Sequence, residues 1–113
     1  MSAITTHVLD TSRGHPAGGI PILLEIHAEG AYRELGRGVT DDDGRLRTLL
    51  PDGALLDRGV YRLTFNTGAY FAHHAVESFY PEVVIHFEVR HAEQHYHVPL
   101  LLSPYGYSTY RGS

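Results

Sequence analysis

Hydrophobic alternation with a period of two recurs in short bursts along the whole chain, and turn residues separate each burst from the next. In EVVIHFEVR (82–90), Val83, Ile85, Phe87 and Val89 fall on one face, while Val84, His86, Glu88 and Arg90 fall on the other. IPILLEIHAEG (20–30) sets Ile22, Leu24 and Ile26 against Leu23, Glu25 and His27, and GVYRLTFNT (59–67) alternates in the same way. ITTHVLD (4–10), YRELGRGVT (32–40), RLRTLL (45–50), HYHVPLLL (95–102) and YGYSTYRG (105–112) complete a set of about eight strand segments. The breaks are TSRGHPAGG (11–19), TDDDGR (40–45), Pro51-Asp52-Gly53 and Ser103-Pro104, all rich in turn formers. Only AYFAHHAVESF (69–79) reads as helical, and it is short. This pattern predicts an all-β fold, a sandwich of two sheets with one short helix. The 113 residues form a single domain, 1–113, without repeat or linker. A hydrophobic fraction of 42% supplies one core, and a chain this small gains from association with copies of itself.

The residue inventory narrows the chemistry. A net charge of −4 disfavours nucleic acid, which needs a basic face. No apolar run approaches the roughly 18 residues that span a bilayer. The opening MSAITTHVLD has neither the basic start nor the apolar stretch of a signal peptide, so the expected compartment is the cytoplasm. There is no Cys, hence no disulfide, thiolate nucleophile or Cys-based zinc site. There is no Lys either, which removes Schiff-base chemistry. Nine His and nine Arg remain as the chemical tools. GYSTY (106–110) matches a serine nucleophile elbow only at Gly106 and Ser108. No phosphate loop or dinucleotide fingerprint is present. A hydrolase made from this chain would therefore use water directly.

His95 and His97 share one face of a strand. With His91 they could ligate zinc; alternatively, one could act as a base, since imidazole titrates near neutral pH. A solvated pair is the third reading, and the spacing leaves all three open. His7 shares its face with Leu9, where a lone histidine is usually just a hydrogen-bonded polar residue. Arg45 and Arg47 flank Leu46 and project together just after a tight turn; such a pair is usually a solvated edge that discourages aggregation. His15, His27, His73 and His74 read as surface or structural residues.

HVLD with RGHPAGGIP, DDDGR, and HYHVPLLLSPYGYSTYRGS together resemble one family, the 5-hydroxyisourate hydrolases or transthyretin-related proteins. The likeness runs along the whole chain. The closing Tyr110-Arg111-Gly112-Ser113 is the family's hallmark and separates these enzymes from transthyretin, the hormone carrier of the same fold. The resemblance implies a transthyretin-like sandwich and a homotetramer, a dimer of dimers with a channel at the dimer–dimer interface. It implies hydrolytic ring opening of 5-hydroxyisourate, with no metal or organic cofactor. It places the catalytic residues at His7, Arg45 and His97.

Residue chemistry agrees with these implications. A planar, oxygen-rich, acidic heterocycle calls for forked donors, which Arg supplies. Water attack on its ring carbonyl calls for a base of near-neutral pKa and a stabiliser for the oxyanion. His7 and His97 are expected to position and deprotonate the water, while Arg45 anchors the substrate and offsets charge. Strand parity puts Ser108, Tyr110 and Gly112 on one face and Thr109 and Arg111 on the other. Ser108 and Tyr110 are therefore expected to wall the substrate channel beside His97, and Arg111 to order the terminus.

Overall fold

The computed structural model describes residues 2–113. Nine strands and one helix follow one another as β1 (Ile4–Asp10), β2 (His15–Pro16), β3 (Pro21–Ala28), β4 (Ala31–Val39), β5 (Arg45–Leu46), β6 (Gly59–Phe65), α1 (Thr67–His73), β7 (Val83–Val89), β8 (Tyr96–Ser103) and β9 (Gly106–Thr109). They form the expected two-sheet sandwich. One sheet runs β2-β1-β8-β9, with β5 also paired to β1, and the other runs β4-β3-β6-β7. Ile4, Thr6, Val8 and Asp10 of β1 point inward, as do Tyr96, Val98, Leu100 and Leu102 of β8. Against them lie Ile22, Leu24 and Ile26 of β3, Tyr61, Leu63 and Phe65 of β6, and Val83, Ile85 and Val89 of β7. Each such apolar side chain contributes about 1.5–3 kcal/mol of burial. Most of the outward residues of β1 and β8 remain partly exposed, and these form the site.

Three boundaries differ by more than two residues from the sequence expectation, and the short β2 falls inside 11–19, a stretch that reads as a break. The helix is Thr67–His73 rather than 69–79. The Asn66 side chain caps its start by accepting from the Ala69 N–H, and at its end Ala75 adopts φ 56°, which no helix continues. The segment 45–50 is a strand only at Arg45–Leu46. Beyond it the backbone bonds to Ser2 instead: the Arg47 carbonyl accepts from the Ser2 N–H, and the Leu50 N–H donates to Ser2 Oγ. The closing segment 105–112 is a continuous strand only over Gly106–Thr109, followed by a single bridge from Gly112 to His97. Among the described residues no helix is long and apolar enough to cross a membrane.

Asp10 anchors the β1–β2 turn from inside, at 1% exposure. Its Oδ1 accepts from the N–H and hydroxyl of Ser12 and from the Arg13 N–H, and its Oδ2 accepts from the Tyr70 hydroxyl at 2.7 Å. Burial pushes the carboxyl pKa up, but these donors overcome it and hold the group below its ordinary value; the Tyr70 phenol is pushed up to about 12 by its own burial and by the Asp10 charge. Asp10→Asn is expected to destabilise the protein by about 2 kcal/mol at pH 7 in urea unfolding. Because the folded pKa is the lower one, the charge contributes above the unfolded value of about 3.9, and the difference from wild type shrinks as pH falls below it. Equal stability at pH 7 would count against this role.

Candidate active site

The site is built on the outer face of the sheet where β5, β1 and β8 lie side by side. His7 pairs with Arg45 across the antiparallel β1–β5 contact, and Thr5 pairs with His97 across the parallel β1–β8 contact. Thr5 and His7 are two residues apart on β1, so they share a face, and register brings Arg45 and His97 to it. The turn before β5 fixes this arrangement. Asp41 Oδ1 accepts from the N–H groups of Asp43 and Arg45, and the Gly44 N–H closes the turn on the Asp41 carbonyl. Gly44 has φ 74°, and a Cβ there would collide with the Val8 carbonyl oxygen, so glycine lets the turn sit against β1.

The same turn orients His7. Its Nε2 lies 2.9 Å from the Asp43 carbonyl oxygen, which can only accept, so Nε2 carries the proton and Nδ1 holds the lone pair of the neutral ring. Burial lowers the His7 pKa, and the Arg45 charge lowers it further, against the raising effect of the Asp43 carbonyl and of the Asp41 and Asp43 charges. Burial also lowers the His97 pKa, reinforced by Arg45, His95 and His7, while the contact with Thr5 works the other way. Both rings are therefore biased toward the neutral form that can take a proton.

Beside them is a cleft of about 200 Å³. Thr5, Thr6, Arg45, Arg47, His95, His97 and Ser113 line it. Two guanidinium groups and two imidazoles in one lining make a donor-rich pocket suited to an oxygen-rich, anionic, planar ligand. His7 does not line the cleft itself, but Arg45 links the two rings: its charge lowers the pKa of both. Arg47 enters as a second cleft arginine, a placement already contained in its parity with Arg45. Thr5 is the residue that sequence reasoning missed; its parity with His7 was the available signal.

The closing motif divides between two places. Gly112 lies against the His97 ring: its N–H donates to the His97 carbonyl at 2.9 Å, and a Cβ would come within 2.6 Å of His97 Cδ2. Ser113 follows it into the cleft. Arg111 faces elsewhere, donating to Gln94 Oε1 at 3.0 Å and stacking its guanidinium 4.4 Å above the Tyr96 ring. Ser108 pairs with Leu101 on β8 and is exposed. Tyr110, 58% exposed, borders a separate cavity of about 330 Å³ with Ile85, Phe87, Val98 and Arg111. Within one chain, then, Ser108 and Tyr110 do not line the cleft that holds His97. His91, His95 and His97 do not gather as a ligand set either: among the described residues no three His, Asp or Glu side chains stand together as metal ligands, and His91 lies 3.8 Å from Glu93.

A profile of the HIUase/Transthyretin family matches residues 4–112. A probable 5-hydroxyisourate hydrolase of Caenorhabditis elegans is 51% identical over 112 residues, covering 99% of this chain and 82% of its own. The solved 5-hydroxyisourate hydrolase of Klebsiella pneumoniae superposes with a TM-score of 0.85 at 42% identity, covering 100% of both chains. Sea bream transthyretin, solved in complex with thyroxine, superposes with a TM-score of 0.89 at 31% identity, covering 97% of this chain and 94% of its own. Matched along nearly its full length by the family profile and by these relatives, the chain belongs to the HIUase/Transthyretin family.

Proposed function

We propose that the protein hydrolyses 5-hydroxyisourate, opening its ring to 2-oxo-4-hydroxy-4-carboxy-5-ureidoimidazoline in urate breakdown. One observation carries the reading: two histidines biased toward neutrality share a sheet face with Arg45 beside an arginine-lined cleft. The names of the C. elegans and Klebsiella relatives agree with it. In this reading His7 and His97 position a water and take its proton. Arg45 binds the substrate and offsets the negative charge that develops as the carbonyl is attacked. The fold alone does not separate this from a carrier, because transthyretin superposes equally well; the closing Tyr110-Arg111-Gly112-Ser113 together with His7, Arg45 and His97 favours the hydrolase. The deciding experiment generates 5-hydroxyisourate in situ from urate and follows its decay with and without the protein. Acceleration over the spontaneous rate is expected, and none would defeat the reading.

The working form in this proposal is a homotetramer. A cleft of about 200 Å³ is small beside the roughly 300–1,000 Å³ of a complete ligand pocket, so a second copy can finish its walls. β7 and β9 each lie at an open end of their sheets, with main-chain groups free to pair with another chain. Tyr110 and Ser108 are exposed at this border, which leaves them free to wall a channel contributed to by two subunits. Light scattering should report four copies.

Arg45 also predicts a pH effect. Its charge lowers both histidine pKa values, and the neutral ring is the active form. Arg45→Met should lower kcat/KM by about 10²-fold and move the acid limb of the pH profile to higher pH. A limb that stays in place would separate Arg45 from the bases.

A further inference from the structure

We propose that Thr5 and His95 are positioning residues that set which nitrogen of His97 carries the proton, through one shared hydroxyl hydrogen. The proposal deepens the hydrolase reading and rests on His97 acting as a base there.

The Thr5 hydroxyl lies between two imidazoles. Its Oγ1 is 2.8 Å from His97 Nδ1 and 3.1 Å from His95 Nε2, and the rings lie nearly parallel at 17°, with centroids 6.4 Å apart. Thr5 is 3% exposed, so water has little access to replace either partner, and its β-branched side chain is stiff at χ1. A hydroxyl has one hydrogen and cannot donate to both rings. If it donates to His97, that ring must carry its proton on Nε2, and Nε2 has no lone pair to offer a water. If it donates to His95 Nε2, it accepts from His97 Nδ1–H, and His97 Nε2 is left as the base.

Nε2 makes no hydrogen bond among the described residues, so it is the nitrogen available to substrate and water. The productive chain is thus His97 Nδ1–H to Thr5 Oγ1, and Thr5 O–H to His95 Nε2. His95 must then be neutral, protonated on Nδ1. A protonated His95 has only donors; it reverses the hydroxyl and switches off the base next door. The cationic side chains around this chain are Arg45 and Arg47, which line the cleft, and Arg111, whose guanidinium lies 3.5 Å from the His95 carbonyl.

The test pairs spectroscopy with kinetics. In the resting wild-type protein at neutral pH, ¹⁵N imidazole shifts should show His97 protonated at Nδ1 and unprotonated at Nε2. Thr5→Val keeps the shape, loses the hydroxyl, and should mix the two forms; kcat should fall roughly tenfold or more with KM little changed. His95→Leu should act in the same direction, and Thr5→Ser should retain the wild-type spectrum and rate. A wild-type His97 protonated at Nε2, or a Thr5→Val enzyme with wild-type kcat, overturns the proposal. Failure of the hydrolase reading shows separately, as no acceleration by wild-type protein, because the tautomer is read without substrate.

Discussion

His97→Asn is expected to reduce kcat for 5-hydroxyisourate by about 10²–10⁴-fold while leaving the fold and the subunit count unchanged. Asparagine places an amide near the position of the imidazole Nδ1, so the contact with the Thr5 hydroxyl at 2.8 Å can be replaced, but nothing remains to accept a proton near neutral pH. Little core is lost, because the His97 side chain points to the outer face while Tyr96 and Val98 point inward. His7→Asn should give a loss of the same order. There the amide must also stand in for the Nε2–H that donates to the Asp43 carbonyl, so a slightly loosened turn around Arg45 is part of the expected effect. Steady-state kinetics, light scattering and urea unfolding on both variants check this. Full activity in both would remove the two rings from the chemistry, whereas a loss matched by unfolding would make their role one of packing.

Much of this arrangement is legible in the sequence. Period-two alternation separates the faces of β3 and β7 as the structure has them, because each is a strand with one more deeply buried face and turn residues near its ends. What escaped were positions where the backbone finds a partner other than a neighbouring strand. Ser2 captures the backbone of Arg47 and Leu50, and so ends β5 after two residues. Asn66 starts the helix two residues ahead of the apolar pattern. In the site, parity showed that His95 and His97 share a face and that Arg45 and Arg47 do. Parity within a strand cannot say which strands are neighbours. That β1 lies between β5 and β8, and so joins Thr5, Arg45 and His97, depends on contacts distant in sequence. The same limit explains Tyr110: alternation gave its face relative to Ser108, but not that the ladder to β8 stops at Thr109 and resumes only at Gly112.

Gly112→Ala should have the second large effect, a fall in kcat of about 10²-fold with little change in unfolding free energy. The methyl would sit 2.6 Å from His97 Cδ2, 3.2 Å from Pro99 Cγ and 3.4 Å from His97 Cγ, closer than carbon atoms pack. Two relaxations are open. If the ring swings away, it leaves the Thr5 hydroxyl that orients it. If the tail lifts, the Gly112–His97 backbone bond breaks and Ser113 leaves the cleft. Either one would spoil the geometry of His97 as the proposed base, and misplacement by about 1 Å is enough to slow a positioned reaction 10²-fold. The tail itself is exposed, so relaxation there disturbs no core. Gly106→Ala is the matched control: its added methyl would meet only Ser103 Oγ at 3.7 Å, an ordinary contact, and should leave kcat unchanged. Equal rates for the two alanine variants would mean that the tail yields without reaching His97. A slow Gly112→Ala enzyme with a shifted His97 ring signal would make the motif's glycine the backing of the catalytic imidazole.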